Sequence, residues 1–194
     1  SNKTFDNLYD KLLSIIDQNE KYLDYTIERL FNFAIEQYIL TKIYSKICLQ
    51  MSTNYGIKIK QTILEKCKKF YRTYNTKKTS IETSSLYNED KKIQCTKLKY
   101  KLIGIFHFVG ELYKNSLIDS IVIWKYLDLL FENLSDETIR EQYIECLKQL
   151  IIKISDKIIN SDYDLFQKNV MSKINLYITN KKEYSLTNRE LFMF

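Results

Sequence analysis

Proline is absent from all 194 residues, and Gly56, Gly104 and Gly110 are the only glycines. Sandwiches, barrels and doubly wound sheets place these two residues at many tight turns, where a pre-set or positive φ is needed. A chain that avoids both is expected to be built from helices joined by short polar links. The expected fold class is therefore all-α.

Apolar periodicity supports this along most of the chain. A first helix is predicted over about Thr4–Asp17, with Phe5, Leu8, Leu12, Ile15 and Ile16 on one stripe. A second, about Tyr22–Gln37, turns Leu23, Ile27, Leu30, Phe31, Ala34 and Ile35 inward. A third spans about Leu40–Met51 with Ile43, Ile47 and Met51 inward, and a fourth about Ile57–Tyr74 with Ile59, Ile63, Cys67 and Phe70. The pattern then fails, and residues 75–90 are expected to form a flexible loop between two halves. Helices resume over about Lys91–Leu117, Ser120–Asn133, Asp136–Asn160 and Tyr163–Thr179. A last one starts near Leu186, and the chain stops inside it at Phe194, so the last repeat is expected to be truncated. Paired lengths near 40 residues fit antiparallel helical hairpins stacked as HEAT-like repeats in a single domain over 1–194. A compact bundle gives the same periodicity.

Composition sets further bounds. Apolar residues at 45% and charged residues at 28% suit a chain that buries a core. The sixteen tyrosines accompany many Ile, Lys and Asn, a set with AT-rich codons, so Lys and Tyr counts carry little functional weight. A net charge of +6 permits attraction to RNA or to an acidic protein face. Cys48, Cys67, Cys95 and Cys146 are isolated, and His107 is the only histidine, so no zinc-type spacing exists. No cofactor is expected. Free thiols fit a reducing, cytoplasmic setting. No apolar run reaches the roughly 18 residues of a membrane span.

Catalytic chemistry is not expected either. The sequence carries no Walker loop, no GxGxxG and no paired-carboxylate motif. His107 lies between Phe106 and Phe108 and reads as a core or groove histidine, for no nucleophile or acid accompanies it. Glu111 follows Gly110 in an apolar stretch and must reach a partner or the surface. Gly110 itself costs about 1 kcal/mol against Ala inside a helix, which is expected to be offset by a close helix–helix approach. Lys68, Lys69 and Arg72 stand beside Phe70 and Tyr71, and basic residues recur over Lys97–Lys101. Lysines among aromatics suit RNA, and a solvated helix face suits them equally.

The string Phe108-Val109-Gly110-Glu111-Leu112-Tyr113-Lys114 resembles the third-repeat helix of the middle domain of eukaryotic translation initiation factor 4 gamma. Phe108, Gly110, Glu111 and Tyr113 form its structural motif. Ile144–Leu150 resembles the next repeat's leucine-glutamate-cysteine-leucine helix, and Ser155-Asp156-Lys157 stands where that family has a turn. Thr4–Leu8 and Arg189–Phe194 resemble the two ends of the domain. The resemblance implies a crescent of HEAT-like pairs that grips a DEAD-box RNA helicase of translation initiation, with mRNA and other initiation factors as further partners. It implies no membrane and no small-molecule substrate. An early helicase contact falls on Tyr38, Ile39 and Leu40, where Tyr38 replaces a family proline and Leu40 stands at an aromatic position. A late contact falls on Asn188, Arg189 and Phe192, where Leu191 replaces a second family arginine. Lys99, Lys101 and Lys114 are further RNA candidates on the same resemblance. Relatives that partner poly(A)-binding protein, or act in splicing or mRNA decay, share these strings. A standalone RNA-binding solenoid is the reading from a different class.

Overall fold

Helices carry the chain in the computed structural model, which describes residues 2–194, with the side chains of 2–6, Leu8 and Glu20 outside that description. They are α1 (Asn2–Ile16), α2 (Glu20–Glu36), α3 (Thr41–Tyr55), α4 (Lys58–Glu82), α5 (Asn88–Lys114), α6 (Ser120–Glu132), α7 (Arg140–Phe166), α8 (Ser172–Thr179) and α9 (Asn188–Met193). A π turn over Gln167–Met171 joins α7 to α8, and 3-10 turns lie at Tyr38–Leu40 and Asn133–Ser135. Among the described residues there is no strand.

Local chemistry sets the helix ends. Asn19 caps α2, its Oδ1 accepting from the Lys21 amide at 3.0 Å. Gly56 ends α3 at φ +77°, a conformation that side chains disfavour. Thr187 and Glu190 close a reciprocal capping box on α9.

Consecutive helices pair as hairpins, and alternate helices stack. The series α3, α5, α7 and α9 packs in one layer, while α2 and α4 touch in the other. This is the all-α solenoid, and α5 is its central post. From Leu102 to Tyr113 every residue of α5 is buried except the half-buried His107. A helix that is apolar all round needs neighbours all round, and α2, α3, α4 and α7 supply them. Gly104 makes one crossing feasible: a Cβ there would lie 2.2 Å from the Ile35 carbonyl oxygen, inside the backbone of α2.

Four expectations are corrected. The segment expected as a loop over 75–90 is helical through Glu82, and only Thr83–Tyr87 links α4 to α5. Lys77 rests 4.8 Å over the Phe70 ring, Lys78 lies 3.9 Å from Glu82, and Ile81 packs on the core, so the polar stretch is held as helix. The inward face of α3 is Thr41, Ser45, Cys48 and Met51, and Ile43 is 45% exposed. Small residues let α3 approach α5 closely, which turns the larger Ile43 outward. Ser155–Lys157 lies within α7 rather than at a turn; the break falls at Asp162, whose φ of −146° and ψ of 53° leave the helical region. Ile15 of the first predicted stripe is 51% exposed, and the Phe5 and Leu8 side chains lie outside the described residues.

Candidate functional site

The 3-10 turn Tyr38–Leu40 juts from the α2–α3 junction. Ile39 is 82% exposed and Leu40 41%, with Ile43 one turn further on. The Thr41 hydroxyl donates to the Tyr38 carbonyl at 2.8 Å, which fixes the turn. Tyr38 faces inward instead, its ring 5.0 Å from that of His107. The Tyr44 hydroxyl donates to Gln37 Oε1 at 2.6 Å, and Lys101 Nζ pairs with Glu36 at 2.9 Å. The turn is thus an apolar knuckle on a braced base.

His107 has a defined protonation. Gln149 donates through Nε2 to Glu145 at 2.7 Å, so its Oε1 accepts from His107 Nε2–H at 2.8 Å. Nδ1 is then a buried acceptor without a partner. Burial holds the imidazole below its usual range, with the positive charge of Lys153 adding to this and the Gln149 contact opposing it. A neutral ring with no nucleophile beside it braces Tyr38.

The other exposed set lies on α9. Phe192 is 89% exposed and Asn188 is exposed beside it. Arg189 Nη2 reaches Glu141 on α7 at 3.0 Å, and Lys99 Nζ meets the same carboxylate oxygen at 3.7 Å. Inside, Arg140 anchors the segment. Its Nε donates to the Leu134 carbonyl at 2.6 Å and its Nη1 to the Tyr184 carbonyl at 2.8 Å, with Glu190 at 3.9 Å.

The motif residues of α5 are structural. Phe108 is buried, and Glu111 pairs with Lys153 Nζ at 2.9 Å. Lys157 lies 4.6 Å over the Tyr113 ring and donates to the Tyr113 carbonyl and to Ser116 Oγ, each at 2.7 Å. That bridge holds Ser116 at its left-handed φ of 60°.

The six basic residues expected to meet RNA are not gathered on one face. Lys101 is paired toward α2 and Lys99 toward α7, so neither is free. Lys69 and Lys114 are exposed and have no ion pair among the described residues. Lys68 and Arg72 line a separate groove against α6. Among the described residues no three His, Cys, Asp or Glu side chains converge for a metal, and no helix is long and apolar enough to cross a membrane.

The sequence matches the MIF4G domain across residues 1–194. The chain belongs to the MIF4G domain family. A comparison with curated proteins found no significant match. MIF4G domains are helical scaffolds in translation, mRNA decay and splicing proteins, and they often bind helicases or RNA. The family is generally non-catalytic.

Within this MIF4G domain the sequence reading missed several residues that shape the surface. Glu141 and Glu36 tether the cations of α5, and Arg140 organises the approach to α9. A pair of acids on the neighbouring helices was the available signal, but it needs the helix partners to be known first.

Proposed function

We propose that this MIF4G domain binds and activates a DEAD-box RNA helicase of translation initiation, working in the cytoplasm. The observation that carries the reading is the presence of two exposed contact sets on one helical frame. The knuckle Ile39–Leu40, with Ile43, offers apolar area, and Phe192 offers an exposed aromatic beside Arg189, whose guanidinium is held by Glu141 at 3.0 Å and would exchange that carboxylate for one on the partner. α5 lies between them, tied by Lys101 to the base of the first and through Glu141 to the second. A two-lobed partner gripped at both sets is held in a restricted range of lobe orientations.

Activation on this reading is a population shift and needs no chemistry from the scaffold. The domain must bind the closed lobe arrangement more tightly than the open one. Moving a 1:99 equilibrium to 99:1 takes about 10⁴-fold preference, or about 5.5 kcal/mol. Exposed Lys69 and Lys114 then offer positive charge to an RNA strand that the helicase carries.

The test is a binding assay against initiation, splicing and decay helicases and a poly(A)-binding protein in parallel. Tightest binding to the initiation helicase supports the reading. Preference for another of these partners assigns the domain to that process. RNA binding that persists without any helicase and collapses with salt favours the standalone RNA-binding solenoid.

A further inference from the structure

A groove of about 500 Å³ runs between α4 and α6 and shares no residue with the knuckle or with α9. Its floor is Leu64 and Tyr71 from α4, with Val122, Tyr126 and Leu129 from α6. Lys68 and Arg72 rise on the α4 side and Lys125 on the α6 side, with Glu65 as the one acid. All three cations are exposed, and none has an ion pair among the described residues. Elsewhere on the same helix Lys60 and Lys66 are matched with Asp119 and Glu28. Lys69 on α4 is unpaired as well, but Lys68, Arg72 and Lys125 are the unpaired cations that stand on the two rims of the apolar floor. Among the described residues the Tyr126 hydroxyl has no hydrogen-bond partner either, although its ring packs edge-on against Phe106 at 5.9 Å.

We propose that the α4–α6 groove is a docking site for an acidic amphipathic helix of a partner protein. From Gln61 to Arg72 the α4 wall advances about 16 Å at 1.5 Å per residue, which matches a partner helix of about three turns. Apolar side chains at i, i+3 or i+4, and i+7 fill the floor, and flanking carboxylates meet Lys68 and Arg72 on one side and Lys125 on the other. The Tyr126 hydroxyl donates to a polar group of the partner. Cations on both walls fix which strip of the helix faces inward.

The floor favours peptide over RNA. Stacking platforms for bases need open aromatic faces. Here Tyr71 is held at right angles to Phe106 and Tyr126 likewise, and Leu64, Val122 and Leu129 fill the rest. Glu65 on the rim repels phosphate. The inference does not depend on helicase binding, because the surfaces are separate.

The experiment displays a random library of 14-residue peptides, selects it on the folded domain, and measures the winners by fluorescence anisotropy beside a U12 RNA. The comparison protein is Lys68→Glu, Arg72→Glu, Lys125→Glu, whose changes lie on exposed helix faces; far-UV circular dichroism confirms its fold. A second variant, Val122→Arg, fills the groove without reversing its rim. The expected winners carry a helical apolar stripe flanked by Asp and Glu. They shift the amide resonances of Leu64, Val122 and Leu129, and lose at least tenfold in affinity to each variant. Winners without acids, equal affinity for the charge-reversed protein, or no enrichment on the wild type over that protein overturns the proposal. Tighter binding of U12 than of every peptide, lost in the same variants, assigns the groove to RNA and also overturns it.

Discussion

Lys153 Nζ lies 2.9 Å from Glu111 Oε1, while the stem of the same lysine crosses Gly110 so closely that a Cβ there would lie 2.6 Å from Lys153 Cβ. The Gly-Glu pair of α5 is thus one device. The glycine admits the lysine, and the lysine neutralises the carboxylate. The two partners are unequal. The Glu111 side chain is 6% exposed and Lys153 is 26% exposed. Lys153→Met strands a buried anion and is expected to cost about 3 kcal/mol. Glu111→Gln leaves an ammonium that swings toward water, and is expected to cost about 1 kcal/mol. Urea denaturation of both variants measures the difference; equal losses would show that the carboxylate escapes to solvent.

The two helical glycines differ in what blocks them. Alanine at either position gains about 1 kcal/mol of helix propensity. At Gly110 the obstacle is Lys153 Cβ at 2.6 Å, which moves only with the α7 backbone, whereas at Gly104 it is the Ile35 carbonyl oxygen of α2, closer still at 2.2 Å. Overpacking that shifts side chains and backbone costs about 1–3 kcal/mol. Backbone must move in both cases, and further at the shorter contact, so Gly104→Ala is expected to destabilise by about 3 kcal/mol and Gly110→Ala by about 2 kcal/mol. Thermal melts of the two variants give the ranking, and a Gly104→Ala protein as stable as wild type would contradict the close α2–α5 crossing.

His107 makes stability depend on mild acid. Its folded pKa is below the ordinary value of 6.5 because burial disfavours the charged ring. The unfolded chain therefore binds a proton first as pH falls. Stability is complete above about 6.5, declines as pH drops below it, and levels off below the folded pKa. Lys153 adds to the effect, and Glu111 and Glu145 oppose it. Chemical denaturation from pH 7.5 to 5 reads the slope, which should be smaller in His107→Gln. An identical slope in that variant places the effect in other groups.

Arg140 is expected to hold α9 against α7. It is 3% exposed on its side chain and serves the Leu134 and Tyr184 carbonyls. Arg140→Met leaves both without that donor, at about 1–3 kcal/mol each where they are buried. Hydrogen exchange over 182–193 should quicken at least tenfold while α5 stays protected. Uniform acceleration across all helices would mean that α9 unfolds only with the whole domain.

What the sequence made legible follows from periodicity. The buried face of α2 reads directly as Leu23, Ile27, Leu30, Phe31, Ala34 and Ile35, all of them buried. The α3 face did not, because its inward residues Thr41, Ser45 and Cys48 are small or polar and their burial is set by how near α5 comes. The end of α4 was hidden for a similar reason: Lys77 and Lys78 look like loop until helix geometry brings Phe70, two turns back, and Glu82, one turn on, within reach. At the surface, resemblance pointed to residues 38–40, but only tertiary packing sorts Tyr38 inward onto His107 and Ile39 outward. The α4–α6 groove needed two helices far apart in sequence to be laid side by side.

The central claim is a helicase scaffold with two contact sets, and the RNA-stimulated ATPase rate of the initiation helicase tests it most directly. Wild-type domain should raise that rate several-fold. Ile39→Asp with Leu40→Asp, and separately Arg189→Glu with Phe192→Ala, should each remove most of the increase while the circular dichroism spectrum is unchanged. These positions are exposed, so their replacement leaves the core intact. An ATPase rate indifferent to the wild-type domain would contradict the activator account, and full stimulation by both variants would contradict the two contact sets.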